Sequence, residues 1–489
     1  MRGPSTVKKA LRGRILFFAL LVPLLALLVF GGAGASNRFD VSRPGRALPV
    51  HDGSAPPGHG IPPSEILDMV SGGGSRGVAH DGRTVTLSID PNLQQRVFDV
   101  FERFDPAYGV FCAMDPASGR VLALVGYRRG GESDPSLALK AVYPAASLIK
   151  VVTASAALES GQIGPDDWVS YRTSIYDIGR GDLHTLLGTG ASMTLADAMA
   201  RSANAVFGKV AVNCVGPEGM RHYLLRYGFG ERIPFDLPLE GSTAHVPDED
   251  YELARTGAGF GEIYMSPVHV AMMMSAVGAG GVMPAPRLVD RVDGSGTAYQ
   301  GATSPWRTPI LPGTADNLLR MMVKTVEAGT SRRAFGTADR NPLLRDMEVA
   351  GKTGTISGWD PPAHFEWFAG VAPVAGPRIA VAALVVNDGK WKIKGSYVGK
   401  EAFSAFFGYP SSEPPVYAKA KGTKKSFRNA RRKGGASLSK SGKGGRKGAS
   451  VSARSKAGKK HGAAKGGKKR SGRRGSARQA RGSSSPAAG

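Results

Sequence analysis

Tyr143-Pro-Ala-Ala-Ser-Leu-Ile-Lys150 runs without a break into Val151-Val-Thr-Ala-Ser-Ala-Ala-Leu158, and the chain is organised around this junction of a Ser-x-x-Lys tetrad with an apolar run. A serine hydroxyl is a weak nucleophile near neutral pH and needs a base beside it. In a helix, residue i+3 lies on the face of residue i, one turn away. A helix opened by Ser147 therefore sets the Lys150 amine beside the hydroxyl. The N-terminal end of such a helix also favours negative charge developing nearby. Val151, Val152, Ala154, Ala156 and Leu158 leave no polar face, which predicts a buried helix to about Ser160. Alone the tetrad says little, because a capping serine followed by a surface lysine reads the same way.

Two later stretches supply what the tetrad lacks. Ser202-Ala-Asn204 falls at a break in the helical stretch 194–213. Two polar side chains so close in a turn can aim at one point, the hydroxyl relaying a proton and the amide orienting a carbonyl or a lysine. The bland alternative is a helix cap. Gly351-Lys-Thr-Gly-Thr355 lies on a late apolar strand with Val349 and Ile356 beside it. On an edge strand, Lys352 and Thr353 could hold a substrate strand and its carboxylate, with Gly354 allowing close approach. The spacing of a phosphate loop fails, since no glycine stands at position 346.

Outward from these motifs, alternation predicts strands at 84–89, 109–114 and 120–127, with an amphipathic helix at 92–104. Residues 128–140 read as a polar loop. Further helices are predicted at 218–227, 266–277, 313–329 and 399–407, and strands at 288–292, 347–355, 367–371 and 378–387. Residues 234–251 read as irregular. The pattern predicts an α/β (α+β) fold, an antiparallel sheet flanked by helices with a mostly helical central region.

In chain order, Ser147-x-x-Lys150, Ser202-x-Asn204 and Lys352-Thr-Gly354 resemble the signature of the penicilloyl serine transferase superfamily. Residues 86–94, 113–123, 257–267 and 367–373 resemble stretches of the penicillin-binding protein transpeptidase domain, so the likeness runs from Thr84 to Phe407. The resemblance implies a β-lactamase/transpeptidase-like fold. It implies that Ser147 attacks a peptidoglycan stem peptide ending in D-Ala-D-Ala and releases the terminal D-Ala, with Lys150 as base. Ser202 would pass the proton to the leaving amine, and Asn204 would hold Lys150 and the substrate amide. Lys352 and Thr353 would bind the terminal carboxylate, with Gly354 and the Thr355 hydroxyl beside them. The Ser147 and Thr355 N–H groups would form the oxyanion hole. β-Lactams would acylate Ser147 and stall there.

Composition bounds the remainder. The formal net charge of +25 divides unevenly: from Ala418 to Gly489 there are 24 Lys or Arg and no Asp or Glu, which leaves 40 basic and 39 acidic residues before them. A near-neutral body therefore carries a basic tail, read as disordered over 411–489. An anionic envelope polymer is a candidate ligand for that tail, and a plain solvated spacer is the alternative. At the other end, basic residues in 1–14 precede 21 uncharged residues, Ile15 to Ala35, long enough to span a bilayer. The expectation is a single-pass anchor in the cytoplasmic membrane, residues 1–14 inside and the catalytic domain outside. A cleaved signal peptide ending near Ala33-Gly-Ala35 is the competing reading. Residues 36–83 read as a linker or stalk with a short helical turn at Ile66–Val70, and 84–410 as the transpeptidase domain. This leaves no room for a glycosyltransferase domain before the catalytic one, so a separate glycosyltransferase is a candidate partner. Cys112 and Cys214 read as buried thiols, with a single disulfide as the alternative. No metal or cofactor is expected, as no Cys-x-x-Cys or His-Glu-x-x-His pattern occurs.

A D,D-transpeptidase leads the functional readings, and a D,D-carboxypeptidase with water as acceptor is its nearest rival. A β-lactamase is weaker, since no Glu-x-x-x-Asn follows Ser202-x-Asn204, although Glu240 stands near the expected place. A penicillin sensor or wall-binding protein with a vestigial site is the non-enzymatic reading.

Overall fold

The computed structural model describes residues 58–294, 298–359, 362–388 and 391–415. The expected anchor at 15–35 and the basic run from Ala418 lie outside them. Among the described residues no helix is long and apolar enough to cross a membrane.

The centre is a six-stranded sheet built from both ends of the domain. Its strands are β1 (Tyr108–Met114), β2 (Val121–Arg128), β3 (Glu132–Ser133), β4 (Ala350–Trp359), β5 (Pro362–Ala372) and β6 (Ile379–Asn387), in the order β4-β5-β6-β1-β2-β3. Every pairing is antiparallel. Successive side chains of a strand point to opposite faces, and here both faces are covered. On β6, Ala380, Ala382, Leu384 and Val386 enter one core, while Ile379, Val381, Ala383 and Val385 enter the other. That explains why β6 reads as a continuous apolar run rather than an alternating one.

Among the described residues, the longer helices that position the rest are α1 (Pro63–Ser71), α2 (Pro91–Phe104), α3 (Lys150–Glu159), α4 (Leu195–Arg201), α5 (Asn204–Val210), α6 (Gly216–Arg226), α7 (Asp250–Ala258), α8 (Pro267–Gly278), α9 (Pro312–Glu327) and α10 (Gly395–Phe406). The α2 helix starts where Asp90 accepts from the Asn92 and Leu93 amides, with Pro91 in its first turn. It buries Leu93, Val97, Val100 and Phe101 with Tyr397, Val398 and Phe403 of α10 under one sheet face. The opposite face is covered by α8, whose residues from Pro267 to Val277 are all buried. Ser266 caps it through the His269 amide.

Three expectations need correction. The stalk reading does not hold from residue 58 on. In α1, Ile66 and Val70 are buried one helical turn apart, and Arg76–Val78 pairs with Thr84–Leu87. The short helical turn read at Ile66–Val70 lies inside that helix. The polar loop at 128–140 contains β3 and a buried 3₁₀ turn, Pro135–Leu139. Residues 234–249, read as irregular, are so apart from the two-residue strand Thr243–Ala244, and α7 then starts at Asp250, where Glu249 accepts from the Glu252 amide. Finally, Ser147 does not open an α-helix. It sits in a 3₁₀ turn, Ala146–Ile149, and α3 begins at Lys150. Cys112 and Cys214 are free, buried thiols.

Candidate active site

The helical region packs on the edge of the sheet at β4, and the three sequence motifs meet there. Ala146 and Ser202 are two of the three non-glycine residues with positive φ among those described, at 48° and 55°. Such backbone costs roughly 1–3 kcal/mol and persists only where the surroundings enforce it. The Ala146 kink carries the chain into the 3₁₀ turn that presents Ser147. Ser202 closes α4 in the left-handed conformation, its amide donating to the Met199 carbonyl at 3.2 Å, and α5 starts at Asn204. The predicted helical break is therefore a sharp corner with a polar residue on each side.

Lys150 is fully buried in the first turn of α3. Its Nζ lies 2.7 Å from Ser147 Oγ, 2.9 Å from Asn204 Oδ1 and 2.5 Å from the Ala258 carbonyl oxygen. The last two partners can only accept. A neutral amine gives them its two N–H groups and turns its lone pair to the Ser147 hydroxyl. Burial, and after it the nearby Lys352 charge, hold the Lys150 pKa well below the ordinary lysine value. Asn204 is fixed from the other side, where its Nδ2 donates to the Tyr176 carbonyl at 3.2 Å.

Lys352 is also fully buried. Its Nζ donates to Ser202 Oγ at 2.8 Å and to the Thr353 carbonyl at 2.7 Å. Burial pushes its pKa down to about 7. Ser202 thus stands beside the second lysine, while Asn204 holds the first. The Thr353 and Thr330 hydroxyls are 2.6 Å apart. Thr355 Oγ1 donates to Glu366 Oε2 at 3.1 Å, across the β4–β5 register. Gly354 lets β4 press on the 3₁₀ turn, for a Cβ there would lie 3.3 Å from the Ala146 Cβ.

A cleft of about 410 Å³ opens over these groups, lined by Ser147, Ser202, Asn204, Thr353 and Thr355. All eight expected residues therefore gather at one place, with the two lysines buried. Sequence reasoning passed over Tyr176, Arg201, Gly259, Phe260, Thr330, Glu366, Trp391 and Lys394, which line the same cleft. Gly259 has the plainest structural role. At φ +102°, its Cβ position lies 2.4 Å from Ala146 O and 2.8 Å from Ser147 N, so the backbone of the nucleophile rests on it. Glu240 does not line the cleft. It pairs with Lys140 at 3.0 Å and accepts from the Ala141 amide.

Comparison with known proteins places this geometry in context. The family model for the penicillin binding protein transpeptidase domain matches residues 109–408. A curated relative, peptidoglycan D,D-transpeptidase PbpA of Mycobacterium tuberculosis, is 26% identical over 345 residues, covering 63% of this chain and 68% of the relative. Its counterpart in Mycolicibacterium smegmatis is 25% identical over 351 residues, with the same two coverages. Among solved structures, penicillin-binding protein A from M. tuberculosis as its penicillin G acyl-enzyme aligns with a TM-score of 0.55 at 22% identity, over 66% of this chain and 80% of that one. The D,D-transpeptidase domain of an Eggerthella lenta peptidoglycan glycosyltransferase gives 0.57 at 23% identity, over 73% and 89%. At these identities the structural likeness establishes the fold.

Proposed function

The chain belongs to the penicillin-binding protein transpeptidase family, and from that premise we propose that it is a serine D,D-transpeptidase acting on peptidoglycan stem peptides through an acyl-enzyme at Ser147. The observation that carries the reading is the Ser147–Lys150 pair, a buried amine 2.7 Å from a cleft hydroxyl, with its other contacts to Asn204 and the Ala258 carbonyl and no carboxylate among them. Lys150 takes the Ser147 proton as Oγ attacks the carbonyl of the penultimate D-Ala. The Ser147 and Thr355 N–H groups receive the oxyanion. The C–N bond breaks, the leaving D-Ala amine receives a proton by way of Ser202, and the acyl group stays on Ser147 as an ester. An acceptor amine then attacks the ester, forms the cross-link and restores the hydroxyl. Lys352, Thr353 and Gly354 hold the terminal carboxylate, the lysine acting beside Ser202.

β-Lactams acylate the same serine, so labelling with a fluorescent penicillin tests the reading. A covalent label is expected on the wild-type chain and none on Ser147→Ala. A wild type that takes no label sinks the enzyme hypothesis. Purified enzyme with a stem pentapeptide and an amine acceptor then separates cross-linking from the carboxypeptidase alternative, in which water takes the acyl group.

The packing of Gly259 yields a second expectation. Gly259→Ala forces a methyl group against the Ala146–Ser147 peptide and strains a backbone at φ +102°. Penicillin acylation should slow by about tenfold or more, as expected when a small displacement disturbs a reacting geometry. An acylation rate equal to wild type would show that the nucleophile does not depend on this contact.

We also propose that the catalytic domain works on the extracytoplasmic side of the membrane, held there through residues 15–35. A separate glycosyltransferase would supply the glycan strands, and the basic tail would meet an anionic envelope polymer. Salt-sensitive retention of the full chain, but not of a chain ending at residue 417, on isolated cell wall is the test for the tail.

A further inference from the structure

Lys209 lies on α5, five residues after Asn204, and is only 3% exposed. An ammonium has three N–H donors, and Lys209 Nζ meets three acceptors: Asp182 Oδ2 at 2.7 Å, the Thr185 carbonyl at 2.9 Å and Ser170 Oγ at 3.5 Å. Asp182 and Thr185 belong to the loop 172–190, which joins the paired strands Trp168–Tyr171 and Ala191–Thr194. Asn213, four residues after Lys209, donates to the Leu183 carbonyl of the same loop at 2.6 Å. Where Asp182 faces α5 the packing is incomplete. A cavity of about 190 Å³ remains there, lined by Tyr171, Asp177, Asp182, Ala205 and Lys209, so the ion pair rather than apolar contact spans the gap. The other part of the loop reaches the catalytic groups. The Tyr176 carbonyl accepts from Asn204 Nδ2 at 3.2 Å, and the Ile175 carbonyl accepts from the Ala205 amide at 3.0 Å. Tyr176 also lines the cleft.

We propose that Lys209 is a positioning residue for the acylation of Ser147: its ion pair with Asp182 holds the loop 172–190 on α5, and the loop fixes the Asn204 amide that orients Lys150. The inference rests on the proposed function and adds to it a residue that acts through another side chain. An amide has a donor end and an acceptor end. The Tyr176 carbonyl can only accept, so it takes the Nδ2 end and turns Oδ1 to Lys150 Nζ, 2.9 Å away. The second Nδ2 hydrogen stays available to a substrate carbonyl, since Asn204 lines the cleft. With the loop withdrawn, the amide is free to rotate and to give an N–H to the Lys150 lone pair. The base would then be occupied by a donor other than the Ser147 hydroxyl. Lys150 and Lys209 are both buried, yet their surroundings suit opposite tasks. The contacts of Lys150 are a hydroxyl, an amide oxygen and a carbonyl, whereas Lys209 faces a carboxylate, the partner of a fixed ammonium.

The test measures the first-order rate constant of acylation by saturating fluorescent penicillin. Unlike the amount of label, that constant does not depend on how much folded enzyme a preparation holds. Lys209→Met should slow acylation by roughly tenfold, the scale on which a small displacement of a reacting group tells. Asp182→Asn should slow it in the same direction by a smaller factor, since its amide oxygen still accepts from Lys209 without the charge. Asp182 is partly exposed, so its variant decides the matter if Lys209→Met fails to fold. The same two substitutions are then made in an Asn204→Ala chain. There they should change the rate by less than about twofold, because the group through which Lys209 acts is gone, and coupled sites show themselves by such non-additivity. Unchanged rates in the wild-type background would overturn the proposal. So would an equal slowing in both backgrounds, the mark of an ion pair that merely supports the fold. A wild type that takes no fluorescent penicillin would overturn the transpeptidase reading and this positioning role with it.

Discussion

Lys150→Met is expected to slow penicillin acylation of Ser147 by about 10³–10⁴-fold, the upper range for removal of a general base. Methionine nearly matches the lysine stem and suits a fully buried site, so the fold should persist. What disappears is the amine that stands 2.7 Å from Ser147 Oγ. The pH dependence follows from the same geometry. The working form is the neutral amine, whose pKa is held low by burial first and by Lys352 second. Acylation should therefore already run at neutral pH and fall only as pH drops through that lowered value. An unshifted lysine would instead give a rate climbing tenfold per unit up to about pH 10. Rates of acylation measured from pH 5 to 10 separate the two. A Lys150→Met enzyme acylated as fast as wild type would remove Lys150 from the mechanism.

The residues that chemistry demands were legible in the chain, and those that only register supplies were not. Ser147, Lys150, Ser202, Asn204 and Lys352 to Thr355 stand in short spacings whose residue types are dictated by nucleophile, base and carboxylate. Their convergence needed only a helix, a helical break and an edge strand, each readable from hydrophobic periodicity. Glu366 is different. It meets Thr355 because β4 and β5 pair in one register, and the sequence reading began its strand one residue later, at Trp367. A carboxylate inside an apolar strand was the available signal. Gly259 follows α7, a helix masked by its acidic start, and its role lies in a contact with Ala146 more than a hundred positions earlier in the chain. The α1 helix was legible only as a short turn at Ile66–Val70, because Pro62, Pro63 and the glycines after Ser71 dominate the local composition.

Lys352→Met should lose turnover of carboxylate-terminated peptide and yet be more stable than wild type, by about 1–4 kcal/mol at pH 7, as when a buried charge is replaced by a packed apolar side chain. The cause is that two fully buried lysines face the same site, and their contacts are hydroxyls, an amide oxygen and carbonyls rather than carboxylates. Lys352 titrates at about 7 in the folded protein, against an ordinary value of 10.5. Between those values the unfolded chain holds a proton that the folded one lacks. Unfolding free energy therefore rises with pH across that window, by up to about 1.4 kcal/mol per unit for one group. Below pH 7 both states are protonated at this position and the full cost remains. The advantage of methionine should accordingly be greatest at pH 7 and below, and should shrink towards pH 10, as urea unfolding at pH 6, 8 and 9.5 would show. Removing the Lys352 charge also relieves Lys150, whose pKa should rise, moving the acid limb of penicillin acylation to higher pH. A stability gain with no such displacement would mean that the two amines do not sense each other. A variant less stable than wild type at pH 6 would mean that Lys352 is a structural cation. If both shifts appear together, the Lys352 charge helps burial to keep Lys150 neutral, and the fold gives up stability to keep a free base beside Ser147.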